Sequence, residues 1–202
     1  AQVEFSPNGR QVVVTEKATN AISTYQIGRD GLASGPHVQP SNGPTPFGFA
    51  FHPFWRDRLV VSEAAGGAPD GSTVSSYALA ADGRLVVLDG SVPTTETAAC
   101  WVVITPNGRL AYATNTGSGT ITGFRIGLID GHLTRLDEDG ITAGAPGRAP
   151  LDASIDRFGR HLYVLNSGTD AINAYTIEPD GDLTSFPGVS GLPNGATGLA
   201  AR

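Results

Sequence analysis

Val103-Ile104-Thr105-Pro106-Asn107-Gly108-Arg109-Leu110-Ala111-Tyr112-Ala113-Thr114-Asn115 is a pair of short apolar and β-branched runs hinged on Pro-Asn-Gly. Pro cannot donate to a central ladder, and Asn-Gly readily takes the positive φ of a hairpin loop, so the stretch reads as strand, tight turn, strand. Working outward, Thr120–Ile126 and Leu133–Asp137 alternate in the same way, separated from what precedes them by Gly117–Gly119 and Asp130-Gly131. With Trp101–Thr105 and Leu110–Asn115 they make four antiparallel strands in roughly fifty residues.

The unit recurs along the whole chain. Asp30-Gly31, Asp82-Gly83, Asp130-Gly131 and Asp180-Gly181 stand 52, 48 and 50 residues apart. Tyr25, Tyr77, Phe124 and Tyr175 precede those turns, and Leu32, Leu85, Leu133 and Leu183 follow them. A four-stranded unit repeated at this period predicts an all-β fold of β-propeller blades, four of them visible. Leucine-rich solenoids have shorter repeats, and helical repeats require a 3.6 period that is missing here. The blades are expected at about residues 1–46, 47–98, 99–149 and 150–195, with an extra innermost strand at 196–202. Innermost strands are expected at Val3–Ser6, Gly48–His52, Trp101–Thr105, Asp152–Asp156 and Thr197–Ala201. One more of these than of each other strand suits the C-terminal part of a larger ring. A four-bladed chain closing on itself is the alternative. Val12, Val14 and Ile22 are expected on an open end face, which self-association or further N-terminal blades would cover.

Composition agrees with short strands and tight turns. The 202 residues include 27 Gly and 14 Pro, with 40% hydrophobic and 16% charged. The net charge of −6, with no run of Lys or Arg along the chain, predicts neither a nucleic-acid partner nor a membrane one. No stretch approaches the roughly 18 apolar residues of a spanning helix. Cys100 is the single cysteine, so no internal disulfide forms. That leaves the compartment open, with a secreted or periplasmic setting ahead of a cytoplasmic one. The chain contains no methionine, so a targeting segment or an earlier part of the domain is expected before Ala1.

Phe5-Ser6-Pro7-Asn8-Gly9-Arg10-Gln11-Val12-Val13-Val14, the stretch 103–115 and Gly159-Arg160-His161-Leu162-Tyr163-Val164-Leu165-Asn166 resemble the lactonase-like propeller family. That family includes propeller-type 6-phosphogluconolactonases and fungal carboxymuconate-lactonising enzymes. The resemblance implies a seven-bladed ring, of which roughly three N-terminal blades would lie outside this sequence, and hydrolysis of a sugar or related lactone. It implies a His or Arg six residues before the proline that ends an innermost strand. Those places hold Ala1, Phe47, Cys100 and, counted from Arg157, Leu151. The family's Glu follows the Asn-like position at the end of the second strand and is matched by Lys17, Thr116 and Ser167, while Glu16 and Glu63 fall on the family's Asn. The family's charged constellation is therefore not carried by these positions.

The candidates that remain lie where loops of several blades gather at one mouth of the channel. Glu16 and Lys17 offer a general base beside a cation, and Glu63 occupies the same place one blade on. Arg148 and Asp152 flank Pro150 and could orient an anionic lactone. Asn115 and Asn166 are binding candidates whose simpler role is to cap their own loops. Cys100 lacks the neighbouring cation that a nucleophilic thiolate requires. His37, His52, His132 and His161 have no metal-ligand spacing, so neither metal nor cofactor is expected. A small-molecule ligand at the mouth is the expected partner. A non-catalytic propeller that binds a protein or glycan is the competing reading, supported by the unequal loops Ala64–Ser72 and Ile141–Arg148.

Overall fold

The computed structural model describes residues 1–147 and 149–201, and the described chain is all β with no α-helix. The first sheet is β1 (Val3–Phe5), β2 (Gln11–Glu16), β3 (Ala21–Ile27) and β4 (Ala33–Pro40). The second is β5 (Pro46–Phe51), β6 (Arg58–Glu63), β7 (Thr73–Leu79) and β8 (Leu85–Pro93). The third is β9 (Ala99–Ile104), β10 (Leu110–Asn115), β11 (Thr120–Ile126) and β12 (Leu133–Arg135), with β13 (Ala143–Gly144) also on β11. The fourth is β14 (Pro150–Ile155), β15 (His161–Asn166), β16 (Ala171–Ile177) and β17 (Leu183–Ser190). Strands pair antiparallel in chain order within each sheet, and the innermost strands β5, β9 and β14 lie side by side.

The core lies between sheets. Val13 and Ile22 pack on Phe49, Val61 and Tyr77; Val60 and Val74 on Val102, Phe124 and Leu133; Tyr112 and Ile121 on Val164 and Tyr175. Each such aliphatic or aromatic side chain, fully buried, contributes roughly 1.5–3 kcal/mol. Alternation along β2 sends Gln11, Val13 and Thr15 into the second sheet and leaves Val12 and Val14 half-buried on the other side. Ile22 is paired with Thr15 and is fully buried in this first core, so its predicted place on the open face is wrong. Across an antiparallel ladder, directly opposed residues share a face.

Hydrogen bonds complete each junction. The Asp-Gly turns of three blades are held from the preceding blade through their Gly carbonyls. Thr24 donates to Gly83 at 2.6 Å, Ser76 to Gly131 at 2.7 Å, and the Tyr112 hydroxyl to Gly181 at 2.8 Å.

Two strand expectations change. The later innermost strands begin two residues earlier than the alternation predicts, because Thr45, Ala98 and Ala149, at φ 60°, 58° and 58°, swing the chain into the ladder. Register shifts follow at Pro46/Phe49, Thr114/Asn115 and Pro150/Asp152. Residues 197–201 form no ladder: the N–H groups of Leu199 and Ala201 donate instead to Asp152 Oδ2 at 2.7 Å and Ser154 Oγ at 2.9 Å. An innermost strand draws its ladder from the second strand of its own blade, and among the described residues none stands beside it.

The last residue of each innermost segment staples the turn that follows. Ser6 and Thr105 accept the N–H of Gln11 and Leu110, and Asp156 accepts that of Arg160. In the second blade His52 Nδ1 accepts the N–H groups of Phe54 and Trp55, which puts the proton on Nε2, donated to the Gly108 carbonyl at 3.0 Å. Burial lowers the His52 pKa from 6.5; the Gly108 carbonyl opposes this and Arg58 adds to it.

Two outcomes follow. A Cβ at Gly48 would come within 2.6 Å of the Cys100 carbonyl and 2.8 Å of Trp101 Cα in the next blade, whereas one at Gly144 meets nothing within 4 Å. Gly48→Ala should lower stability by about 1–3 kcal/mol in urea denaturation, and Gly144→Ala by less than about 0.5 kcal/mol. For His52, the unfolded chain takes up its proton before the folded chain does. Its contribution is complete above about pH 6.5 and is lost as pH falls below that value. His52→Gln should shrink the loss of urea midpoint between about pH 7.5 and about pH 5.5; an unchanged difference would refute the buried neutral imidazole.

Candidate functional site

Strand direction divides the loops between two ends. The loops from second to third strand, and from outer strand to the next innermost one, share one end, and the described candidates from the sequence lie there. At the ends of the second strands Glu16, Glu63, Asn115 and Asn166 occupy one structural position, each facing a polar side chain of the third strand. Ser23 and Thr19 donate to the Glu16 carboxylate, Asn115 Nδ2 donates to Thr120 and Thr122, and Asn166 Nδ2 donates to Asn173 and to the Ala145 and Pro146 carbonyls. Asn166 Oδ1 also accepts the Gly168 N–H, capping its loop.

Glu63 is fully buried and its oxygens accept five hydrogen bonds. Oε1 takes the Gly43 N–H at 2.8 Å and the Ser41 and Tyr77 hydroxyls at 3.2 Å each; Oε2 takes Thr73 at 2.5 Å and Ser75 at 2.9 Å. Burial, then the Glu63 carboxylate, raises the Tyr77 phenol, which keeps its proton to donate. With every lone pair engaged and no exposure, Glu63 clamps the loop 41–44 onto the second blade. The Asn166 amide holds the Ala145 and Pro146 carbonyls in the same way without a charge, whereas Asn115 bonds only Thr120 and Thr122 of its own blade and its buried Oδ1 has no partner among the described residues.

Asp152 is differently placed. It is 8% exposed, accepts the N–H groups of Ala153 and Leu199, and borders a cavity of about 260 Å³ with Phe47, Trp101, Leu151, Thr197 and Gly198. Burial raises its carboxyl, against the two N–H groups. The exposed Lys17 reaches the same place, its ammonium 5.3 Å from the centroid of the Phe47 ring. Burial raises the Cys100 thiol, Thr116 works against this and Asp152 adds to it, so the cysteine keeps its proton. The Thr116 hydroxyl is spent on the Pro150 carbonyl. Arg148 lies outside the described residues. The structure thus places Asp152 on the cavity wall and Lys17 over the ring of Phe47, another wall residue, while Glu63, Asn115 and Asn166 are engaged in hydrogen bonds within and between blades. Phe47 and Leu151 stand where the family resemblance led one to look for a cation. Trp101, Thr197 and Gly198 were not singled out, because their shared wall depends on how adjacent blades align. Among the described residues no three His, Cys, Asp or Glu side chains are grouped to hold a metal. No helix of the described chain is long and apolar enough to cross a membrane.

This geometry can polarise a carbonyl from the Lys17 side and accept a proton at Asp152. Residues 2–188 match the family model for lactonases with a seven-bladed β-propeller. A search of curated proteins finds no match. Among solved structures the chain is similar to a periplasmic gluconolactonase of Pseudomonas aeruginosa, with 17% identity and a TM-score of 0.78 over 95% of this chain and 54% of that one. A protein from Lactobacillus plantarum gives 20% and 0.78 over 96% and 55%. A candidate 6-phosphogluconolactonase from Bacteroides fragilis gives 17% and 0.77 over 96% and 55%. At these identities the likeness is one of fold, and the chain spans little more than half the length of each.

Glu63→Gln tests the clamp. An amide would aim its NH₂ at groups that already donate, so stability should fall by about 1–3 kcal/mol in urea denaturation; an unchanged midpoint would show that the five contacts do not require a carboxylate.

Proposed function

The chain belongs to the seven-bladed β-propeller lactonase family, and from that premise we propose that it hydrolyses a sugar or related lactone at the mouth cavity. The observation that supports this most directly is that one small cavity is bordered by a buried carboxylate of raised pKa, Asp152, and by Phe47 carrying the Lys17 ammonium. Asp152 takes a proton from water as the water oxygen bonds to the lactone carbonyl carbon. Lys17 stabilises the oxyanion that develops there. Collapse of the tetrahedral intermediate breaks the ring C–O bond, Asp152 returns its proton to the departing alkoxide, and a hydroxy acid leaves. Trp101, Phe47 and Leu151 give the ring an apolar wall and limit the water around it.

The base must be ionised, so activity should rise with pH through a range above the ordinary aspartate value. In a pH-stat assay over a panel of aldono- and muconolactones, turnover should exceed spontaneous hydrolysis. Asp152→Asn should lower kcat by about 10²–10⁴ and Lys17→Met by about 10²–10³. Both variants are to be checked for an unchanged urea midpoint. Absence of turnover on every lactone, or an Asp152→Asn variant as active as the parent, would sink the reading and favour a propeller that only binds.

A further inference from the structure

The end of the array opposite the mouth carries the turns that join each innermost strand to the second. Six of the thirteen basic side chains in the sequence sit in or beside these four turns: Arg10, Arg56, Arg58, Arg109, Arg157 and Arg160. Among the described residues none of the six forms a salt bridge, whereas Arg84 on an outer turn is paired with Asp82 at 2.7 Å. Large aromatic side chains stand exposed between them, Phe54 at 67%, Trp55 at 45% and Phe158 at 64%. Guanidinium groups lie over two of these rings, Arg58 at 5.0 Å from Trp55, and Arg157 and Arg160 at 4.5 and 5.7 Å from Phe158.

The second, third and fourth turns adjoin. His52 bridges the second turn to the third through Gly108, and Gly159 of the fourth turn abuts Pro106 of the third. Between the second and third turns runs a groove of about 490 Å³ lined by Phe54, Trp55, Asn107, Arg109 and Leu128. Arg58 fixes the groove's far wall by donating to the Leu128 and Ile129 carbonyls. Asn107 Oδ1 is occupied by Thr105 and by the Arg109 N–H, which leaves its amide NH₂ facing outward as a donor.

Guanidinium groups without an ion-pair partner among the described residues, interleaved with exposed aromatic faces in a chain of net charge −6, call for a partner that is anionic and also offers apolar ring faces. We propose that this turn surface docks an anionic polysaccharide, a linear chain of uronic-acid units. Arginine pairs bidentately with the planar carboxylates, Trp55, Phe54 and Phe158 take the apolar faces of the sugar rings, and Asn107 donates to a hydroxyl. The outer Asp30, Asp82, Asp130 and Asp180 turns lie at the same end and would meet a flat anionic membrane, but not a slender chain lying along the inner turns. Asp57, in the groove's own turn, opposes the denser charge of a phosphodiester strand. The site is separate from the mouth and independent of any hydrolysis there.

The test is titration of the intact chain with short oligogalacturonates by calorimetry at low salt. Saturable binding is expected, weakening as salt rises, and falling about tenfold or more on methyl esterification of the carboxylates. Arg109→Gln and Trp55→Ala should each weaken binding about tenfold, with circular dichroism and urea midpoint unchanged because both side chains are exposed; Arg84→Gln should leave it intact. The proposal is overturned by absence of binding, by equal affinity for the methyl ester, or by affinity unaltered in both groove variants. Tighter binding to a single-stranded oligonucleotide or to anionic phosphatidylserine vesicles, with the same loss in Arg109→Gln, would equally overturn it in favour of those partners.

Discussion

A four-stranded sheet of this size has no interior. Its two faces must be covered by something else, and here neighbouring sheets cover both faces of the second and third sheets and one face of the first and fourth. The three apolar clusters lie at the three junctions, so no blade described here owns a core of its own. What fixes the spacing of the junctions is a contact that repeats with different chemistry. A hydroxyl of one blade, from threonine, serine or tyrosine, binds the glycine carbonyl of the next blade's Asp-Gly turn. That carbonyl would otherwise be left unpaired in a half-buried seam, where an unmet acceptor costs about 1–3 kcal/mol. The apolar contacts supply most of the attraction, and the hydroxyl sets the register at which they meet.

The same junctions decide what the two ends of the array can do. At the mouth, left-handed residues Thr45, Ala98 and Ala149 steer each innermost strand inward, and their carbonyls accept the N–H groups of Ala64, Thr116 and Ser167 just past the second strands. Non-glycine residues at positive φ are strained by about 1–3 kcal/mol, and they recur here at the place where side chains of successive blades are brought together. Phe47 and Asp152, which follow two of these residues, come to one cavity. At the other end the turns are short and stapled by their own side chains, which leaves the long arginines and the aromatics free to project outward.

The clamp position at the end of the second strand shows why a charged residue in a propeller loop is a weak guide to chemistry. Glu16, Glu63, Asn115 and Asn166 fill equivalent places, yet one is a buried carboxylate with five donors and two are amides with their own partners. The position selects for hydrogen-bonding capacity against the third strand. Whether that capacity comes from an acid or an amide follows how many donors the third strand and the segment before the innermost strand supply. Glu63 meets donors from Ser41 and Gly43 before β5 and from three hydroxyls of β7, whereas the amides of Asn115 and Asn166 themselves donate to hydroxyl, amide and carbonyl oxygens.

The sequence by itself determined the strand order, the blade period and the turns, because those depend on local alternation and on Asn-Gly and Asp-Gly pairs whose backbone preference acts over four residues. It also determined that Cys100 is inert, since no cation adjoins it. It misplaced Ile22, because which face of a strand looks toward which neighbour depends on the direction the whole array turns. It could not separate Glu63 from Asp152, two acids near the same mouth, since one is enclosed by donors from residues 10 to 22 positions away and the other by the seating of residues 197–199 against β14. Nor could it gather the arginines: they are some fifty residues apart along the chain, and a charge scan sees only scattered positives in an acidic protein. Only the lateral packing of blades, which lays one turn of each beside the next, converts that spacing into a surface.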